Sequence, residues 1–208
     1  MSFDIDGFVE ACREARRAKD APQRIANLLG EAIAEPAAIL EAVAERRGSE
    51  RATDMAEVFV NDEDLTIYQL SFPPNLFGVP HDHAGWAVIG VYSGAEGFNT
   101  YEERDGRLTL TGRTVLKAPA VQILKPDLIH DIDNLGEAVS GSIHVYANRH
   151  FDMPGRRIWR DGNADCEAFT LERSFQYGME RTRRKRLKLG LPDLPAPSVP
   201  DIENVRKL

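Results

Sequence analysis

The sequence predicts a mainly β protein: a barrel of short strands with a helical N-terminal layer and an irregular C-terminal arm. Apolar residues recur at helical spacing from residue 3 to residue 47. From about residue 57 to residue 147 they recur at every second position, in short runs separated by glycine and proline. No helical pattern interrupts these runs, which favours a barrel or sandwich over an alternating α/β fold.

The elements can be placed in chain order as one domain with three parts. A helical layer is expected over 1–50, a barrel over 51–165, and a helix with an extended arm over 166–208. In the first part, Pro36 suits the first turn of a third helix and Gly48 suits its end. In the second part, Asp105-Gly106 is typical of a hairpin turn. Strands are predicted over 65–72, 86–92, 98–103, 108–115, 121–124 and 139–146.

The C-terminal part combines a basic run with a proline-rich segment. A helix is predicted over Leu171–Leu189, and residues 181–188 within it are mostly arginine and lysine. We interpret this run as a solvated helix face or as a contact between subunits of a homo-oligomer, rather than as a nucleic-acid site. Residues 190–200 carry four prolines and predict an extended arm.

Composition excludes several classes of partner. The 208 residues carry a formal net charge of −7, which argues against nucleic acid. No apolar stretch approaches the roughly 20 residues of a membrane span, so no membrane partner is expected. The N-terminus lacks the basic start and apolar core of a signal peptide. The two cysteines, Cys12 and Cys166, lie too far apart in sequence to suggest a disulfide framework. Together these features predict a cytoplasmic protein.

A histidine pair carries the strongest chemical signal. His81 and His83 lie at the edge of the apolar run 86–92, and on a strand they would share one face. His130 ends a later apolar run and could supply a third ligand. Three protein ligands are typical of a catalytic metal site because they leave positions open for substrate. The alternative is that His81 and His83 are solvated side chains at the end of a strand.

These features together resemble the cupins. The resemblance rests on the histidine pair, a third histidine about fifty residues later, and a barrel of short strands. Gly94 and Asn134 stand where the two cupin motifs place glycine and asparagine. Many cupins also have a glutamate ligand four or five residues after the second histidine, but Ala87 and Val88 occupy those positions here. The resemblance therefore implies three neutral histidine ligands, a set that suits Fe, Zn, Cu and Ni alike.

Within the cupins, residues 57–160 are similar to the thiol dioxygenases, especially the bacterial 3-mercaptopropionate type. The residues that carry this resemblance include Ser142, His144 and Tyr146, which match the Ser-x-His-x-Tyr relay of that family. Alternation along a strand puts these three on one face, and the alternative is a merely polar face of the barrel. The resemblance implies Fe(II) at the histidines, with a small thiol and O₂ as substrates. No cysteine lies between 13 and 165 to crosslink to Tyr146, so that tyrosine should be unmodified.

An arginine pair follows the relay by about ten residues. Arg156 and Arg157 are similar to the Arg-Arg pair of the mercaptopropionate type, in which an arginine holds the substrate carboxylate. A guanidinium group matches a carboxylate with two parallel hydrogen bonds. Arg157 is the first choice for this role and Arg156 the second, while residues 55–62 contain no arginine. The alternative is that both arginines are structural.

The sequence therefore predicts an Fe(II)-dependent dioxygenase that converts a small carboxylated thiol, such as 3-mercaptopropionate or cysteine, to its sulfinate with O₂. Two alternatives stay open. One is a cupin metalloenzyme acting on a non-thiol substrate such as a diketone, which would share the three histidines without needing the relay. The other is a metal-binding cupin sensor, for which no partner domain is visible in the sequence.

Overall fold

Three helices form the N-terminal layer in this computed structural model, which describes residues 2–49, 55–105, 107–160 and 166–194. They are α1 (Ile5–Arg16), α2 (Ala21–Ala32) and α3 (Pro36–Arg47). The Asp4 side chain caps α1 by accepting a hydrogen bond from the Gly7 N–H. Gly48 follows α3 with a φ of 63°, a left-handed conformation that glycine adopts readily. The predicted helical layer is thus confirmed.

The middle of the chain is built from short antiparallel strands, also as predicted. In the described residues they are β1 (Ala56–Asn61), β2 (Thr66–Phe72), β3 (Ala87–Ser93), β4 (Ala95–Arg104), β5 (Arg107–Lys117), β6 (Ala120–Leu124), β7 (Ile129–Asp133), β8 (Ser140–Tyr146), β9 (Arg157–Trp159) and β10 (Cys166–Ala168). The hairpin between β4 and β5 closes at Asp105 with Arg104 opposite Arg107. Gly106 lies outside the described residues.

The strand order gives a double-stranded β-helix. One sheet has the order β1-β2-β8-β3-β6, and a second has the order β5-β4-β7. Residues 77–81 run beside β7 through the isolated bridges Phe77–Asp133 and His81–His130. The chain therefore passes repeatedly from one sheet to the other, which closes the two sheets into a barrel. Gly94, with a φ of 68°, makes the tight turn between β3 and β4.

The helices cover the outer face of the larger sheet. α2 packs directly on β3, where Gly90 faces Leu29 so closely that a Cβ at position 90 would lie 2.6 Å from the Leu29 Cγ. This close approach buries an apolar cluster between the helices and the sheet, including Leu29, Val88 and Ile143. A second cluster fills the barrel interior and includes Ile89, Phe98 and Tyr146. Burial of this apolar surface is the main stabilising contribution.

The histidine pair does not lie in a regular strand. β3 begins only at Ala87, and the segment before it is irregular. Pro80 has no N–H to donate to a ladder, and Ala84 has a φ of 51°. His81 still pairs with His130 through two backbone hydrogen bonds, of 2.9 Å and 3.0 Å. Its position is therefore fixed by the neighbouring strand β7 rather than by β3.

The predicted C-terminal helix is present as α4 (Leu171–Lys188). Its basic run is not a uniformly solvated face, because Arg181 and Arg186 are only 4% and 8% exposed, and a contact between subunits stays a prediction. Arg186 donates to the backbone oxygen of Pro192, and Arg181 forms an ion pair with Asp131 on β7. A further hydrogen bond links the helix to the barrel, in which the Phe77 N–H donates to the Thr182 hydroxyl. α4 is thus attached to the barrel by polar contacts.

Two further expectations concern the limits of the parts. The predicted divisions after residues 50 and 165 fall on or beside residues outside the described ranges, so they stay predictions. The predicted proline-rich arm lies mostly outside them too, from residue 195 onward. No helix in the described part of the chain is both long and apolar enough to cross a membrane.

Candidate metal centre

Three histidines meet inside the barrel, as the sequence suggested. His83 lies centrally, with its Nε2 atom 3.2 Å from the Nε2 of His81 and 3.0 Å from the Nε2 of His130. All three candidate ligand atoms lie within 4.8 Å of one another. His83 and His130 are buried, while His81 is partly exposed. The three rings come from two segments that pair through the backbone, so their separation is set by the barrel itself.

The geometry of these histidines fits a metal ion. Two nitrogens that lie about 2.0–2.1 Å from one ion are about 2.8–3.4 Å apart at ligand–metal–ligand angles of about 90–110°. The Nδ1 of His81 lies 2.9 Å from the Val79 carbonyl oxygen, to which it can only donate. The lone pair of His81 is then on Nε2, which points to the other two histidines. A three-histidine metal site is therefore chemically reasonable here.

The protonation states also suit ligands. Burial lowers the pKa of His81 to about 4 and holds the pKa values of His83 and His130 well below the usual range. The three rings are therefore neutral at pH 7, as metal binding requires. With Ala87 on β3 after the pair, no carboxylate stands at the position where many cupins place one.

The predicted relay residues form a continuous hydrogen-bonded chain on β8. The Ser142 hydroxyl lies 3.0 Å from Nε2 of His144, and Nδ1 of His144 lies 3.0 Å from the Tyr146 hydroxyl. Burial raises the pKa of Tyr146 well above the usual range, so its hydroxyl keeps its proton. The Tyr146 ring makes an edge contact with His83 at a centroid distance of 5.2 Å. The relay thus ends beside the three histidines.

A second tyrosine, which the sequence did not reveal, extends this chain. The Tyr68 hydroxyl lies 2.9 Å from that of Tyr146 and 3.5 Å from Nδ1 of His144. The Tyr68 ring also stacks on His144, with centroids 4.9 Å apart. The role of Tyr68 depends on strand pairing: β2 lies beside β8, with residue 68 opposite residue 144. That pairing cannot be read from the sequence pattern of either strand alone. Burial raises the pKa of Tyr68 to about 12.

A fifth histidine also belongs to the site. His150 stacks on Tyr146 with ring centroids 3.4 Å apart and lies 5.5 Å from His83. It is buried, and its Nδ1 atom has no hydrogen-bond partner among the described residues. All five histidines of the chain thus fall in one cluster. The rarity of histidine in this sequence was the one signal that could have pointed to His150.

Arg156 faces this cluster. It is 2% exposed, and its Cζ lies 3.5 Å above the centre of the Phe169 ring. Its Nε and Nη1 atoms donate to the backbone oxygens of Asp82 and His150. Its Nη2 atom is buried without a partner among the described residues. Its positive charge contributes to the lowered pKa values of the three candidate ligands.

Arg157, the first choice for the substrate carboxylate, is already paired with two carboxylates of the chain. Its Nε donates to Asp82 Oδ2 at 2.7 Å, and its Nη1 donates to Glu103. Its side chain is 40% exposed. Adjacent residues at the start of β9 face opposite ways, so only one of the two arginines can face the barrel interior. Here that residue is Arg156, and Arg157 instead forms ion pairs on the barrel surface.

Tyr68 also lines a cleft of about 230 Å³. Its lining is almost entirely apolar and includes Phe72, Phe151, Phe175 and Met179, with Ser174 as a polar exception. It contains none of the five histidines.

Comparisons with known proteins add little to this geometry. No protein-family model and no curated protein sequence matches the chain. Among solved structures, one of DMSP lyases aligns with 46% of this chain and 44% of that chain, at 15% identity and a TM-score of 0.36. An oxalate oxidase aligns with 52% of this chain and 57% of that one, at 16% identity and a TM-score of 0.39.

An RmlC-like cupin protein from Ralstonia eutropha aligns over more of the chain. The alignment covers 67% of this chain and 78% of the cupin chain, at 16% identity and a TM-score of 0.38. The chain spans less than two thirds of the length of the DMSP lyase and oxalate oxidase chains. Similarity of this size transfers no activity, and the assignment of the fold rests on the strand order described above.

Proposed function

We propose that this protein is an Fe(II)-dependent thiol dioxygenase that converts a small carboxylated thiol to its sulfinate with O₂. One observation carries the proposal: three neutral histidines lie beside a Ser-His-Tyr relay, and near them is a buried arginine whose Nη2 atom has no hydrogen-bond partner among the described residues. The histidines would hold the ion, the arginine would hold the substrate, and the relay would present one hydroxyl to the reacting groups.

His81, His83 and His130 are the proposed ligands. Because all three are neutral, they leave the full charge of a divalent ion uncompensated, which favours an anionic ligand such as a thiolate. A bound Fe(II) supplies the redox chemistry that lets O₂ react with a thiol. The chain itself fixes the three rings in one orientation through the backbone pairing of His81 with His130.

Arg156 is the proposed substrate-binding residue. No carboxylate among the described residues forms an ion pair with it, although a buried charge is stable only when it is paired or well hydrogen-bonded. Burial lowers the pKa of Arg156 to about 10, so it remains a cation at pH 7. A substrate carboxylate would supply the missing partner at Nη2. That contact fixes one end of the substrate and directs its thiol to the histidines, which is how positioning accelerates a reaction.

The direct test is oxygen consumption by the iron-loaded protein with a panel of thiols. We expect turnover with 3-mercaptopropionate and cysteine, about one O₂ consumed per sulfinate formed, and no turnover with a diketone. The alternative enzyme, acting on a non-thiol substrate, predicts the reverse pattern. A metal-binding sensor predicts no oxygen consumption with any of these compounds, and either result would overturn the proposal.

Arg156→Gln should change the preference among thiols. Removing one member of a buried charged contact costs on the order of 2–5 kcal/mol, so kcat/KM for 3-mercaptopropionate should fall by at least about 30-fold. Cysteamine has no carboxylate to lose, so its kcat/KM should fall much less. The ratio of the two values, measured on one preparation, is independent of any loss of folded protein.

The matched control is Arg157→Ala. This change removes the ion pair with Asp82 but no group that faces the histidines, so the ratio should stay near that of wild type. If Arg157→Ala lowered the ratio and Arg156→Gln did not, Arg157 would be the substrate-binding residue after all.

A further inference from the structure

The apolar cleft lies between α4 and the barrel. On the helix side its lining residues recur at the spacing of one helix face, and they are Leu171, Ser174, Phe175, Gly178 and Met179. On the barrel side Tyr68, Leu70 and Phe72 of β2 line it. These three alternate along the strand and share one face, and Phe72 belongs to the same buried apolar cluster as Tyr146. The cleft is therefore a continuation of the barrel interior that α4 covers.

The two walls of the cleft differ in their exposure to solvent. Phe175 and Met179 on α4 are partly exposed, whereas Phe72 and Leu76 are buried. Among the described residues, the cleft is thus open to solvent on the side of the helix and closed on the side of the barrel. A small solute can enter it without the loss of any secondary structure.

Two aromatic side chains of the lining also contact the candidate site. The Tyr68 hydroxyl lies 2.9 Å from that of Tyr146. The Phe151 ring lies 5.8 Å from the His150 ring, measured between centroids. Tyr146 and His150 are both neighbours of His83. One layer of aromatic rings therefore separates the cleft from the neighbours of a candidate metal ligand.

The chemistry of the lining favours a small apolar solute. No charged side chain of the described ranges lines the cleft, and its polar side chains are Tyr68 and Ser174. An anion would lose its hydration there without compensation, and a buried water commonly needs about three hydrogen bonds. An apolar cavity of roughly 150 Å³ is large enough to bind benzene or xenon. This cleft of about 230 Å³ is therefore large enough for a small apolar molecule.

The residues proposed to hold the thiol do not line this cleft. Arg156 lies over the Phe169 ring, which is 5.9 Å from the His81 ring between centroids. His81 is itself partly exposed. None of these three residues belongs to the cleft. The candidate site thus has a polar environment that suits an anionic thiol and a separate apolar one that does not.

We propose that the cleft binds O₂ and delivers it to the three histidines past Tyr68 and Phe151. The proposal rests on the thiol dioxygenase function given above, whose two substrates differ in polarity. O₂ is uncharged and apolar, so its transfer from water to apolar surroundings is favourable. It is also small enough to pass when one ring is displaced slightly, and side-chain motion is fast compared with a typical turnover. The anionic thiol is excluded from the same path.

Gly178 allows the cleft to be filled without a clash. A Cβ at this position would meet only the Phe77 carbonyl oxygen, at 3.7 Å, among the described residues outside its own helix. Most residues are also more favourable than glycine within a helix. In the iron-loaded enzyme, Gly178→Phe should lower kcat/KM for O₂ at least about fivefold and keep KM for 3-mercaptopropionate within about twofold of wild type.

Gly30→Phe is the matched control. Gly30 is also a helical glycine, on α2, and its Cβ would meet only Val121, at 3.9 Å, among the described residues outside its helix. Both constants should stay near those of wild type. An unchanged kcat/KM for O₂ in Gly178→Phe would overturn the proposal. A rise in KM for the thiol alone would also overturn it, because the cleft would then hold part of the thiol. If Gly178→Phe folds poorly, the smaller Gly178→Leu should show the same effect on O₂.

Xenon binding tests the cleft without turnover, since xenon is apolar and enters dry cavities. We expect the ¹²⁹Xe signal of a bound atom in wild type and its loss in Gly178→Phe but not in Gly30→Phe. Xenon that bound equally to all three proteins would overturn the proposal. If wild type oxidised no thiol, the function proposed above would fail and O₂ delivery with it. If wild type oxidised thiols but Gly178→Phe responded to O₂ as wild type does, only O₂ delivery through the cleft would fail.

Discussion

His83→Ala should bind less than about a tenth of the metal that wild type binds. Both proteins are first reconstituted with Fe(II) in the absence of oxygen. The Nε2 atom of His83 lies between those of His81 and His130, at 3.2 Å and 3.0 Å. Its removal leaves two candidate ligands, His81 and His130, and no other described residue completes the group. Because the ring is neutral and lies in a polar cluster, the loss of stability should stay on the order of 1–3 kcal/mol. Iron, zinc and nickel contents by mass spectrometry, with circular dichroism of the same samples, check this.

His144→Ala is the matched control, since it also removes a buried neutral histidine from the same barrel. Burial lowers the pKa of His144 to about 3. Its two nitrogens are already engaged by Ser142 and Tyr146, so it has none left for an ion. Metal content should therefore stay near that of wild type. Full occupancy in His83→Ala, or equal loss in both variants, would remove His83 from the ligand set.

Arg181→Met should lower the melting temperature by roughly 6–20 °C. The Arg181 guanidinium donates to Asp131 Oδ2 at 2.7 Å and to the Gly78 carbonyl oxygen at 2.9 Å. Both partners are on the segments that carry the candidate ligands His130 and His81. Methionine fills part of the volume but leaves the charge of Asp131 buried, which costs on the order of 3–5 kcal/mol. Differential scanning calorimetry measures the change.

Arg183→Ala provides the comparison within the same helix. Arg183 pairs with Asp193, but its side chain is 75% exposed. Exposed pairs contribute about 0–1 kcal/mol, so the melting temperature should move by no more than about 4 °C. If the two variants melted at the same temperature, the Arg181–Asp131 pair would not be what holds α4 to the barrel. Arg181→Lys should recover part of the loss, because it keeps the charge but not the two-pronged geometry.

The sequence predicted the parts of the site whose positions depend on local pattern. Alternation along one strand put Ser142, His144 and Tyr146 on a common face, and the structure joins all three by hydrogen bonds. The spacing of His81 and His83 indicated two rings on one side, although the segment that holds them is irregular. These features need only the period of a strand, which can be read directly from the residues.

Other parts of the site depend on pairing between distant segments. Arg156 and Arg157 are adjacent and identical in type, and which of them faces inward is decided by the register of β9 against Asp82 and β10. Tyr68 enters the relay only because β2 lies beside β8. None of these relations can be read from period alone, because they are set by long-range contacts.

The attachment of α4 to the barrel also has a consequence for the order of events during biosynthesis. His81 and His130 leave the ribosome well before Arg181, which reaches back to the segments that carry both of them. Until that arginine emerges, Asp131 has no cation to neutralise it, and its carboxylate is more stable when water solvates it. The nascent barrel should therefore stay partly open beside His130. We expect stalled chains that end before residue 171 to be cleaved there by protease, and chains released beyond residue 190 to resist it.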